Sequence, residues 1–225
     1  MLKPKIVEVK EVKTMLRHIE DKVDKFNKEG FIHLKQVIPT DVVSEVRRLA
    51  ITLKRKYDTR TGQPRHNGSG VFWAGLELAS TLDPNLWKYY TADFMFDIAS
   101  KFLSTEQPYL FNDQVVVKDP GGVLSFEPHY DNQYGPDPEG ALKGEFKTIN
   151  CSWILTNMTR DNGCLWINDK PIIAKAGDIV IIDGNTMHHS DINKTSKVRA
   201  LYACVYSNKP IGNFQKGFYN EKFNK

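Results

Sequence analysis

Cysteine is scarce in this chain, and internal repeats, low-complexity tracts and long apolar runs are absent. The three cysteines, Cys151, Cys164 and Cys204, show no CxxC or other metal-ligand spacing, which excludes a zinc ribbon or a cysteine-held cluster. Their odd number, with no secretory signal, points to a reducing, cytoplasmic setting. The opening "MLKPKIVEVKEVK" lacks an apolar signal core, and no run approaches the ~20 apolar residues of a membrane span, so no membrane association is expected. Excess charge is small, +4 overall, and gathers in "RRLAITLKRKYDTR" and the terminal segments. Such runs read as solvated helix faces, so no nucleic-acid partner is expected. A basic pocket serving an anionic small molecule stays open. "GDIVIIDGN" has neither the GxGxxG spacing nor the following helix of a phosphate-binding turn.

What remains is ample for a core: 40% hydrophobic and 11% aromatic residues in 225. The first half reads as helices. Met15, Ile19, Val23 and Phe26 recur at helical spacing over 15–29 and Gly30 supplies the stop. "FIHLK" (31–35) alternates like a strand. Pro39-Thr40-Asp41 opens a second helix with Val42, Val46, Leu49 and Leu53 on one face. Residues 58–72 form a polar, glycine-rich loop, and 84–103 turn helical again around Phe94, Ile98 and Phe102.

From about residue 108, β-branched and aromatic runs recur between turn signals: "YLFNDQVVVK", "LSFEPHYD", "TINCSWILTNM", "CLWI", "DIVIID" and "VRALYACVY". The pattern predicts one α+β domain, in which a helical layer (1–105) covers one face of a jelly-roll core (106–207), followed by a C-terminal tail (208–225).

Within "LSFEPHYDNQYG", His129 and Asp131 are two residues apart. On a strand they project from the same face. A third donor must come from elsewhere. His18, His33 and His66 have plain helix, strand and loop readings, which leaves His188 or His189 after "GDIVIIDGNTM". Two imidazoles and a carboxylate on one face of a metal leave positions open, a set that suits Fe(II) activating oxygen. Eleven residues beyond His188, Arg199 opens an apolar strand. A guanidinium buried there needs an anionic partner. A diacid gripped by Arg199, with a hydroxyl contact from Ser190, would supply it.

The segments "DKFNKEGFIHLKQVIPTDVVSEVRRL", "PHYD", "SWILTNMTRDNGCLWI" and "AGDIVIIDGNTMHHSDINKTSKVRALY" occur in that order. Together they resemble the phytanoyl-CoA dioxygenase family of iron- and 2-oxoglutarate-dependent oxygenases over about residues 22–206. The resemblance implies a double-stranded β-helix, cupin-like, with Fe(II), 2-oxoglutarate as cosubstrate and O2. It makes His129, Asp131 and His188 the iron ligands, and Arg199, assisted by Ser190, the 2-oxoglutarate anchor. Trp153, Gln114 and Lys118 are expected around the cosubstrate. Asn132, Gln133 and Tyr134, on the loop after the HxD, are expected at the prime substrate, with His66 and Trp73 from a loop that closes over it. Retention of Asp131 sets the chain apart from related halogenases. The Pro-Gly-Ser-His stretch and the long insertion common in the family are missing. The expected activity is hydroxylation of an aliphatic C–H in a small molecule, with release of succinate and carbon dioxide. Two rivals stand beside it: a non-catalytic cupin-like barrel that binds metal or ligand, and a redox-neutral metal-dependent isomerase or lyase, which would need neither oxygen nor Arg199.

Overall fold

The computed structural model describes residues 19–58, 71–73, 78–122 and 125–211. Helix α1 (Glu20–Glu29) ends at Gly30, which takes the left-handed conformation (φ 77°) and donates its N–H to the Phe26 carbonyl. A Cβ there would also fall 2.1 Å from Thr186 Oγ1, so only glycine allows both the stop and the close approach. Strand β1 (Phe31–Leu34) follows at once. Helix α2 (Thr40–Asp58) buries Val43, Val46, Leu49, Ala50 and Leu53. Val43 joins the inward face, and Val42, half-buried, packs against the same core as expected.

The helix expected over 84–103 is broken. Short helices α3 (Ala79–Leu82) and α4 (Trp87–Tyr90) flank a 3-10 turn that Asp83 caps, and Ala92 is extended before α5 (Asp93–Leu103). Ile98 and Phe102 are buried on α5 as the spacing required.

Two antiparallel sheets carry the second half. The larger runs β1-β8-β5-β10-β3-β2, formed by β1, β2 (Val71–Trp73), β3 (Tyr109–Lys118), β5 (Thr148–Ile154), β8 (Ile179–Asp183) and β10 (Arg199–Ser207). The smaller runs β4-β9-β6-β7, formed by β4 (Phe126–His129), β6 (Leu165–Ile167), β7 (Lys170–Pro171) and β9 (His188–Ser190). Strand β2 begins inside the segment read as loop. Helices lie on one face of the larger sheet and the smaller sheet faces the other, which is the α+β jelly roll expected. No helix among the described residues is long and apolar enough to cross a membrane.

Period-two alternation sorts the larger sheet's side chains between two cores. Cys151, Trp153, Ala200, Tyr202, Cys204 and Tyr206 pack with the helices. Ile154, Leu201 and Ala203 pack with Leu165 and Ile167 of the smaller sheet. The second space, between the sheets, opens into the cavity.

Candidate active site

Strand β4 contains Pro128, which cannot donate to a ladder, and it lies at the edge of its sheet, where that costs nothing. Its register against β9 slips by one residue, with Phe126 opposite Ser190 and His129 opposite His188. Such a bulge re-aims a side chain, and it sets the His129 and His188 rings 4.4 Å apart. The strand stops at His129, short of Asp131 at the end of the run "LSFEPHYD". Asp131 opens a 3-10 turn instead (Asp131–Tyr134), and extended Tyr130 between them keeps the two donors on one side.

Donor atoms of His129, Asp131 and His188 all lie within 4.8 Å of one another. Asp131 Oδ1 is 3.5 Å from His188 Nε2 and 3.9 Å from His129 Nε2. Backbone carbonyls fix both rings: His129 Nδ1 donates to Glu127 O at 2.6 Å and His188 Nδ1 to Thr186 O at 3.0 Å. A carbonyl only accepts, so Nδ1 carries the proton and the neutral ring presents a free lone pair at Nε2. Burial, and then the neighbouring His188, lower the His129 pKa and favour that neutral form. Asn150 Nδ2 donates to Asp131 Oδ2 at 2.9 Å, leaving Oδ1 to the convergence point, and Ser152 Oγ in turn holds Asn150 Oδ1 at 2.9 Å. Two imidazoles and one oriented carboxylate with no cysteine fit a divalent ion that keeps open positions. His189, by contrast, stacks on Trp166, with centroids 5.8 Å apart and planes at 5°.

At the far end of β10, Arg199 is 1% exposed. Its Nε and Nη2 donate to the Gly163 carbonyl at 3.1 and 2.7 Å, while Nη1 has no partner among the described residues. Position 163 requires glycine, since its φ is positive (75°) and a Cβ would fall 2.2 Å from the Asp191 carbonyl oxygen. Burial draws the guanidinium pKa down to about 10, so it stays cationic at neutral pH. A buried cation with an open donor and no carboxylate paired with it among the described residues is costly unless an anion completes it. Arg199, the three metal-type donors, Ser190, Gln114 and Tyr134 all line one cavity of about 610 Å³ between the sheets.

Other expected residues lie elsewhere. Trp153 is on the helix-facing side of β5, ringed by Tyr89, Phe94 and Tyr202 at 5.7–6.0 Å, and does not reach the cosubstrate space. Lys118 does not line the cavity. Its ammonium ties β3 to the chain after β9, donating to the carbonyls of Ser190 (3.1 Å) and Asp191, and burial, then Arg199, lower its pKa to about 7. Asn132 is buried between Thr148 and Asn185, and Gln133 accepts from the Tyr130 N–H, so both shape the turn instead of facing the cavity. His66 is outside the described residues, and the placing of the Trp73 side chain is too.

The family model for phytanoyl-CoA dioxygenase (PhyH) matches residues 26–168. The chain belongs to the phytanoyl-CoA dioxygenase family. A phytanoyl-CoA dioxygenase of Arabidopsis thaliana is 21% identical over 245 residues, covering 81% of this chain and 86% of that protein. Among solved structures, EctD from S. alaskensis with bound Fe superposes with a TM-score of 0.70 at 16% identity, covering 89% of this chain and 82% of EctD. SnoK, a non-heme alpha-ketoglutarate-dependent carbocyclase from nogalamycin biosynthesis, gives 0.69 at 17% identity over 84% and 83%. These two likenesses bear on the fold.

Proposed function

We propose that the chain is an Fe(II)- and 2-oxoglutarate-dependent oxygenase that hydroxylates an aliphatic C–H of a small molecule. One observation carries the reading: a His129–Asp131–His188 convergence and a buried, incompletely paired Arg199 share a single cavity. His129 Nε2, Asp131 Oδ1 and His188 Nε2 would hold the ion, and Arg199 Nη1 would grip the distal carboxylate of the diacid beside Ser190. Iron bound there, with 2-oxoglutarate and dioxygen, supplies an oxidant for C–H cleavage, with succinate and carbon dioxide as co-products. The protein's work is orientation and exclusion. Carbonyls of Glu127 and Thr186 keep the imidazoles aimed, Asn150 holds the carboxylate, and Phe126, Leu165, Ile182 and Leu201 line the cavity and limit water.

Anaerobic titration with Fe(II) and then 2-oxoglutarate should show sequential binding. Admission of oxygen should release succinate, slowly without substrate and faster with it. Product analysis would distinguish hydroxylation from the ring closure that the SnoK comparison makes worth testing. Turnover without oxygen, or binding of iron with no response to 2-oxoglutarate, would sink the reading.

A further inference from the structure

Asn112 on β3 is 3% exposed, yet its carboxamide takes no hydrogen bond from the described residues and lines the cavity. Its neighbours on the same floor are engaged: Asn150 holds Asp131, and Ser152 holds Asn150. A carboxamide that lines a cavity with no partner among the described residues is available to a polar group bound there. The register says where that something sits. Asn112 and Asn150 both face Val205 of β10 from opposite sides, so the carboxamide lies roughly 10 Å across the floor from Asn150, two strand spacings away. Arg199 lies six residues along β10 from Val205, about 20 Å at the rise of a strand. Asn112 therefore belongs to the row that carries the metal donors' support, not to the end that grips the diacid.

Charge narrows the ligand further. Among the described residues, beyond Arg199 and the three donors with their neighbour His189, the charged side chain lining the cavity is Glu127, an exposed acid already bonded to Ser125 Oγ at 2.8 Å. Among the described residues no lysine and no second arginine lines it. With Arg199 committed to 2-oxoglutarate, an anionic substrate would find no further cation among the described lining residues and would meet Glu127 instead. The walls are otherwise apolar, with Phe111, Phe126, Leu165 and Val205 among them.

We propose that the prime substrate is an uncharged small molecule carrying a hydroxyl, carbonyl or amide, and that the Asn112 carboxamide recognises that group. The proposal rests on the oxygenase reading and replaces the anionic substrate left open by the chain's net charge. Asn112 is a specificity residue here, since it reaches substrate and not the ion.

The test is a panel of alcohols, primary amides and methyl esters, each paired with the carboxylate and the amine of the same carbon skeleton, and one acyl-coenzyme A thioester. Binding is read as a thermal shift with and without Fe(II), and turnover as succinate release above the substrate-free rate. Neutral members should bind at least about tenfold more tightly than their carboxylates, the discrimination one satisfied polar group gives. Asn112→Leu, of similar volume, should weaken the neutral ligands about tenfold while Fe(II) and 2-oxoglutarate titrate as in the wild type. Asn112→Asp, which keeps size and polarity, should move preference to the amines. A panel in which carboxylates or the thioester win, in which no neutral member binds, or in which both variants keep wild-type selectivity overturns the proposal. Failure of the oxygenase reading shows separately, in the titrations of the wild type.

Discussion

Asn112 and Asp113 are neighbours on one strand and meet opposite fates. Asp113 points toward the helices and collects three hydrogen bonds, from Ser80 N (2.8 Å), Ser80 Oγ (2.9 Å) and Tyr202 OH (2.7 Å). Asn112 points toward the cavity and collects none from the described residues. The contrast extends along the sheet. On the helix side, Tyr90 OH reaches the Val205 carbonyl and Tyr206 OH the Tyr90 carbonyl. On the cavity side, Arg199 keeps a free Nη1 and two imidazoles present unshared lone pairs. Polarity buried for the fold is saturated within the fold, whereas polarity buried for chemistry is left one partner short. Trp153 Nε1 departs from this, being unpaired on the helix side, and nothing in the structure explains it.

Substitutions on the two faces should break this contrast in different currencies. The largest effect is expected from Asp131→Ala and His188→Ala, each of which should abolish Fe(II) binding in an anaerobic titration, while His189→Ala retains it. Arg199→Ala should leave iron binding in place and weaken 2-oxoglutarate by about 2–5 kcal/mol, and Arg199→Lys should not restore it because the forked geometry is lost. Asn150→Ala, which frees Asp131 to rotate, should cost about 10–100-fold in metal affinity with little change in melting temperature.

The helix-facing counterpart, Asp113→Asn, should do the reverse. An amide placed against three donors should lower stability by about 1–3 kcal/mol and leave Fe(II) affinity unchanged. It also carries a pH signature. Burial raises the Asp113 pKa to about 6 against the pull of its Tyr202 and Ser80 bonds. The folded chain then holds this proton more tightly than the unfolded chain. The stability this group contributes is greatest below its ordinary range near 3.8 and is lost as pH rises through about 6. Melting temperatures measured from about pH 4.5 to about pH 7 should therefore fall more, or rise less, in the wild type than in Asp113→Asn.

Sequence periodicity revealed the long strands because β3, β5, β8 and β10 are continuous runs bounded by turn residues, as doubly covered strands must be. It missed β9, whose three residues, His188 to Ser190, are polar because they face the reaction space, so the strand carries no apolar signature. Trp153 was assigned to the wrong face although the signal was present. In "TINCSWI" the polar Asn150 and Ser152 alternate with Cys151 and Trp153, and parity alone puts the amide and hydroxyl on the cavity side. Asn112 carries no such local signal. Whether a buried amide is paired depends on partners distant in the chain, which no local pattern reports.

One connection runs well beyond the cavity. Thr186 donates its hydroxyl to the Gly30 carbonyl at 3.1 Å, and its own carbonyl receives His188 Nδ1. The end of the first described helix is thus two hydrogen bonds from a metal-type imidazole 158 residues downstream. Natural variation at that distant junction would have leverage over ion affinity, giving evolution a tuning point that leaves every cavity contact as it is.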